Sequence, residues 1–258
     1  MIRAAVLALT LLALPARAED AEVARTWAAA QVWLPTPDGP RRAGVEALAD
    51  LPPDPARSVV VHAHGCDGIG RIGPRIARFL AEAGHVVVAP DGFARREKPV
   101  SCAPARHRGG LHRGVLAWRQ AELRHALGRL AALPALAGAP VAVMGHSEGA
   151  IAVATAALPP VAARVIEGWT CHAGWPEYRG LAAPPDEPVL ALVGAEDPWF
   201  RAPVLRGDCG RWMRGEAQVS VVFDGPGWLT RRHWLSADRE VQARVLAFLE
   251  AAFAAARR

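Results

Sequence analysis

Val141-Ala142-Val143-Met144-Gly145-His146-Ser147-Glu148-Gly149 opens as a short apolar, β-branched run, passes through Gly-x-Ser-x-Gly, and continues as Ala150-Ile151-Ala152-Val153-Ala154. The first part reads as a buried strand and the last as an Ala-rich helix. Gly-x-Ser-x-Gly between a strand and a helix is a nucleophile elbow, a strained turn that presents the serine hydroxyl at the tip of the strand. Neighbouring backbone comes very close at such a turn, so Gly145 and Gly149 are positions where a Cβ would clash. The helix N-terminus behind Ser147 favours negative charge developing beside it.

Outward from this stretch, the chain alternates buried strands with amphipathic helices. On the N-terminal side, residues 31–34 and 43–48 are strand-like runs separated by the Pro35–Pro40 turn cluster, an antiparallel entry to a sheet. Ser58-Val59-Val60-Val61-His62-Ala63-His64 is a buried strand ending on the glycine-rich Gly65-Cys66-Asp67-Gly68-Ile69-Gly70. Ile72, Ile76, Phe79 and Leu80 line one face of a helix that stops at Gly84, and His85-Val86-Val87-Val88-Ala89-Pro90-Asp91 is the next strand. Residues 92–114 read as an Arg-rich loop, and Leu123, Leu127 and Leu130 mark a second helix closed by Pro134. Beyond the elbow, whose helix is expected to run to Pro159-Pro160, come strands at 164–168, Val189–Gly194 and Gln218–Phe223. A closing helix carries Val241, Val245, Leu246, Leu249 and Phe253, with Ser236 or Asp238 as its N-cap. Strands alternating with helices predict an α/β fold, a mostly parallel central sheet covered on both faces, with the functional loops at the strands' C-terminal ends. No repeat or linker divides it.

The N-terminus has a different character. Arg3, the apolar residues 4–14 and Ala16-Arg17-Ala18 form a secretory signal peptide, residues 1–18, cut after Ala18. Its apolar run is too short to span a bilayer, which argues against stable membrane insertion. The remaining 19–258 form one domain, of periplasmic or secreted location, and 52% apolar residues are ample for a core. Four cysteines in an exported chain read as two disulfides. Of the three pairings, Cys66–Cys102 and Cys171–Cys209 are favoured, since each pins a long loop at the elbow's end of the sheet. The net charge of +5 falls to +3 without Arg3 and Arg17, and the arginines are scattered rather than striped, which argues against nucleic acid as a partner.

A serine nucleophile needs a base, and the base an orienting carboxylate; with this elbow they follow in the order Ser, Asp or Glu, His. Asp197 stands just past the strand Val189–Gly194, with Glu196 as its neighbour and rival. His233 is the one histidine after Asp197 and precedes the last helix. The backbone N–H of Glu148, following the nucleophile, is the first candidate oxyanion donor. Trp199, Trp228 and Trp234 flank the acid and base and are candidates to line an acyl or alcohol site. Arg95, Arg96, Arg231 and Arg232 are candidates to meet an acidic substrate.

These residues resemble the α/β-hydrolase superfamily and, within it, the dienelactone-hydrolase-like group. The resemblance rests on His64-Gly65-Cys66-Asp67-Gly68, Pro90-Asp91-Gly92-Phe93, Gly145-His146-Ser147-Glu148-Gly149 and the placements of Asp197 and His233, across essentially the whole mature chain. His64-Gly65-Cys66 is similar to the His-Gly oxyanion loop of esterases, which implies the Cys66 N–H as the second oxyanion donor. Dienelactone hydrolases proper carry a cysteine nucleophile and are cytosolic, whereas this elbow holds Ser147 and the chain reads as exported. The resemblance therefore implies hydrolysis of small carboxylic esters, without cofactor or metal, rather than the dienelactone substrate itself.

Two other readings compete. His62-Ala63-His64 with Asp67 suggests a metal-dependent hydrolase, but a metallo-β-lactamase-like pattern needs its Asp two residues after the second His and a further His beside it, which this sequence lacks. A secreted binding protein on a hydrolase scaffold is the other; an intact Ser, Asp and His argue against it. The oligomeric state is left open.

Overall fold

The computed structural model describes residues 13–258, with side chains from Glu19 onward; the segment read as a signal peptide lies outside these residues except for the backbone of 13–18. Strands β1 (Gln31–Leu34), β2 (Arg41–Ala43), β3 (Val59–Ala63), β4 (Val86–Ala89), β5 (Val141–His146), β6 (Ala163–Glu167), β7 (Val189–Gly194) and β8 (Gln218–Phe223) form one sheet. Their spatial order is β2-β1-β4-β3-β5-β6-β7-β8. Strands β3 to β8 run parallel, and β1 pairs antiparallel with both β2 and β4. Parallel strands need crossovers, and these are supplied by α2 (Ile72–Glu82), α3 (Val115–Ala131), α4 (Glu148–Thr155) and the loops after β6 and β7; α1 (Ala13–Ala28) and α5 (Arg239–Ala256) flank them.

Side chains alternate along each strand, so the sheet feeds two cores. Val59, Val61, Val143 and Ile166 face Trp27 of α1, Leu123 and Leu127 of α3 and Val153 of α4. Val60, Met144, Val165 and Leu192 face Ile76 and Leu80 of α2 and Val245 and Leu249 of α5. Each such Val or Leu, fully buried, is worth roughly 1.5–3 kcal/mol. This is the α/β fold that the alternating pattern predicts, in the α/β-hydrolase form that the resemblance implies.

Several elements differ from expectation. The second strand-like run, 43–48, holds a strand only to Ala43; Val45–Leu48 is a 3-10 turn that drives Leu48 into the core. Helix α4 stops at Thr155, whose hydroxyl donates to the Ile151 carbonyl, short of the prolines. Asp238 caps α5, accepting from the Glu240 and Val241 N–H groups, while Ser236 bonds to Glu167 instead. Helix α1 is additional: Val23, Thr26 and Trp27 form a narrow buried stripe in an otherwise polar segment, too sparse to read as a helix face. Cleavage between Ala18 and Glu19 would fall within it. The disulfides are Cys66–Cys102 and Cys171–Cys209, the favoured pairing.

Candidate active site

Ser147 sits between β5 and α4 with φ +57° and ψ −119°, a conformation costing about 1–3 kcal/mol that tight surroundings must impose. Its N–H donates to the Glu167 carbonyl of β6 at 2.9 Å. A Cβ on Gly145 would overlap the Gly149 carbonyl, and one on Gly149 would overlap the Ala63 carbonyl of β3. The turn is therefore wedged between its own helix and the neighbouring strand, and both obstacles are backbone atoms.

Two further loops converge on it. Asp197 follows β7 and His233 follows β8, both at the C-terminal edge of the sheet. His233 Nε2 lies 2.7 Å from Ser147 Oγ, and His233 Nδ1 lies 2.6 Å from Asp197 Oδ2. With Asp197 accepting from Nδ1–H, Nε2 is left to accept the serine proton. Asp197 is itself fixed by the Trp199 N–H at 3.0 Å, and its side chain is fully buried. Its rival Glu196 turns outward to an exposed ion pair with Arg231 at 2.7 Å. The His233 ring is clasped by Trp199, stacked at 5.0 Å, by Phe200 at 5.7 Å and by His146 at 5.2 Å.

Cys66 and Glu148 both line the cavity into which Ser147 opens, and no other described residue engages their N–H groups. The loop carrying Cys66 is held from behind. His64 Nδ1 meets the Gly65 carbonyl at 2.7 Å, while Nε2 accepts from the Gly92 N–H at 3.1 Å and faces Arg119 Nη1 at 3.0 Å. Arg119 also donates to the His64 carbonyl at 3.0 Å and pairs with Glu122, which in turn holds Arg95. Both ring nitrogens of His64 are thus committed, which leaves it no lone pair for the metal that His62-Ala63-His64 raised. His62 is wholly buried, and burial pushes its pKa down to about 4.

The cavity measures about 270 Å³ and is walled by Trp169, Trp175, Tyr178, Phe200 and Leu205, with Ile151 of α4 behind Ser147. Of the three expected tryptophans only Trp199 reaches it. Trp228 and Trp234 line a separate open groove on the outer side of His233, Trp228 being 47% exposed beneath the Arg232 guanidinium and Trp234 donating to Ser236. The reason is local: Trp228 and Trp234 sit on the outward side of the turn after β8, whereas the segments after β6 and β7 fold inward over the elbow. The sequence gives a weak sign of the true lining, since Trp169 stands just past β6 at the same sheet edge. The candidate arginines are also placed elsewhere. Arg95 is buried against Glu122 and Glu19, the Arg96 N–H bonds to Glu22, and Arg231 pairs with Glu196.

Two buried carboxyls flank the site. Glu148 bonds the Ser101 hydroxyl, and burial raises its pKa. Glu167 accepts from the Ser236 N–H and hydroxyl, and burial pushes it up to about 7. His64 and His146 are held well below the ordinary imidazole range, chiefly by burial.

Residues 45–208 match the model of the dienelactone hydrolase family. No curated protein matches the chain significantly. Among solved structures, a 2,6-dihydroxy-pseudo-oxynicotine hydrolase aligns with a TM-score of 0.56 at 12% identity, covering 88% of this chain and 64% of that one. An esterase from Pyrococcus furiosus aligns at 0.51 and 15% identity, covering 86% and 90%. A dienelactone hydrolase-like promiscuous phosphotriesterase from metagenomic libraries aligns at 0.50 and 16% identity, covering 85% and 98%. At such identities the structural likeness is one of fold.

Proposed function

The chain belongs to the dienelactone hydrolase family and is a hydrolase, and from that premise we propose that it cleaves carboxylic esters through an acyl-enzyme on Ser147. The observation that carries this reading is the continuous relay Asp197–His233–Ser147, opening on a cavity beside two unclaimed N–H groups. Ser147 Oγ attacks the ester carbonyl as its proton passes to His233 Nε2. Asp197 holds the imidazole's orientation and stabilises the imidazolium. The N–H groups of Cys66 and Glu148 receive the oxyanion, each such donor being worth about 2.7–4 kcal/mol in the transition state. Collapse expels the alcohol, which takes its proton from His233 Nε2. Water then attacks the acyl carbon by the same route, releasing the acid and restoring Ser147.

The two disulfides support export of the chain, with residues 1–18 as the signal peptide, because such bonds persist in oxidising compartments. Among the described residues no helix is long and apolar enough to cross a membrane.

Burst kinetics with p-nitrophenyl acetate on the purified protein test the mechanism. We expect an acyl-enzyme burst that Ser147→Ala abolishes, with turnover falling by at least about 10⁴-fold and folding unchanged. Near-normal rates in the variant would sink the reading.

A further inference from the structure

We infer that the cavity takes an uncharged aryl or short apolar acyl group and turns away acyl groups that carry a carboxylate. The inference rests on the ester-hydrolase reading above and adds the class of substrate. Its first support is shape. A cavity of roughly 150 Å³ holds one benzene ring; the 270 Å³ beside Ser147 accommodates an aryl ring with a short linker. Trp175, Tyr178 and Phe200 offer ring faces and edges, and Gly110, at φ +69°, brings its backbone flat against Trp175.

Its second support is charge. No Lys or Arg is among the described residues that line the cavity. Two cations close to the cavity are already paired: Arg113 with Glu177, while covering Trp175 at 5.0 Å from the ring centre, and Arg119 with Glu122 behind the oxyanion loop. Glu148 on the lining is 6% exposed with its carboxyl bonded to Ser101, and it offers no positive charge. An anionic acyl group would shed its hydration with no cation to replace it.

Acyl rather than alcohol is assigned by the relay. In the proposed attack the ester carbonyl meets Ser147 beside the Cys66 and Glu148 N–H groups, and the cavity that these residues line is also walled by Ile151 and Leu205. The leaving oxygen must face His233, whose outer side borders the open groove carrying Trp228 and Arg232.

The test compares p-nitrophenyl phenylacetate, valerate and acetate with mono-p-nitrophenyl glutarate, whose acyl chain matches valerate in length but ends in a carboxylate. We expect kcat/KM for phenylacetate and valerate to exceed that for the glutarate ester by at least about 100-fold. Trp175→Ala should lower the phenylacetate-to-acetate ratio by about tenfold. Equal rates for valerate and glutarate, with an acetate burst still dependent on Ser147, would overturn the substrate class and leave the ester-hydrolase reading standing. Should no ester turn over, tryptophan-fluorescence titration of Ser147→Ala with methyl phenylacetate and monomethyl glutarate still decides the matter. Tighter binding of the neutral ester supports the inference, and equal or reversed affinity overturns it.

Discussion

Asp197 and Glu196 are adjacent carboxylates at the end of one strand, and only their surroundings separate them. Asp197 is buried, bonded to His233 and pinned by the Trp199 N–H, whereas Glu196 is 57% exposed at its side chain and shares an ion pair with Arg231. An orienting carboxylate acts through the tautomer it imposes, so replacing it by an amide disturbs catalysis while keeping the shape. Asp197→Asn should therefore lower kcat by about 10³–10⁴-fold with little change in KM. Glu196→Gln, which breaks only a solvent-screened pair, should stay within about twofold. A larger loss in Glu196→Gln than in Asp197→Asn would reverse the assignment.

The loop after β3 and the long loop 92–114 are joined by the Cys66–Cys102 disulfide, which ties a proposed oxyanion donor to the segment bearing Gly109 and Gly110 over the cavity. Closing a loop of this length is worth roughly 3–4 kcal/mol in the chain-entropy view. The Cys66→Ala/Cys102→Ala double variant should lose about that much in urea unfolding. It should also lose kcat under conditions where it remains folded, because the Cys66 N–H is no longer held at its spacing from Glu148. The Cys171→Ala/Cys209→Ala variant, which frees the wall after β6 and not the oxyanion loop, should lose comparable stability with a smaller fall in kcat. Equal kcat losses in the two double variants would detach the first disulfide from the oxyanion site.

Across the whole molecule, buried titratable groups set the response to pH. His62, His64 and His146 are neutral in the folded protein at pH values where the unfolded chain's histidines take protons, starting at about pH 6.5. Below that pH the unfolded state binds more protons, so stability falls with acidification; His62 alone, with its folded pKa of about 4, accounts for about 3 kcal/mol. Glu167 acts with the opposite sign. Its folded pKa of about 7 exceeds the unfolded value of 4.5, so its stabilising proton is lost as pH rises between the two. Three histidines outweigh the two raised glutamates, Glu167 and Glu148, and thermal unfolding scans should show Tm falling steeply from about pH 6.5 to pH 4. Glu167→Gln should gain in Tm relative to the native protein as pH rises from about 5 to 8. A flat profile for the native protein would contradict the buried neutral imidazoles.

What the sequence determined by itself is whatever depends on local pattern and chain order. The β-branched runs ending in glycine-rich turns specify the parallel sheet, because only such runs can be buried on both faces. Gly145-His146-Ser147-Glu148-Gly149 specifies the elbow, because no residue with a Cβ fits against the Ala63 carbonyl. Order along the chain then pointed to Asp197 and His233. Tertiary structure alone decided what depends on loops meeting across long separations. It separated Asp197 from Glu196 by which of them is buried, moved Trp228 and Trp234 outside the cavity, and supplied Trp175, Tyr178, Phe200 and Leu205 as its walls. It also turned Arg95 from a candidate for an acidic substrate into a buried partner of Glu122. A loop carries no periodicity that encodes its direction, so the side chains it offers to a site are fixed only when it packs against the rest of the fold.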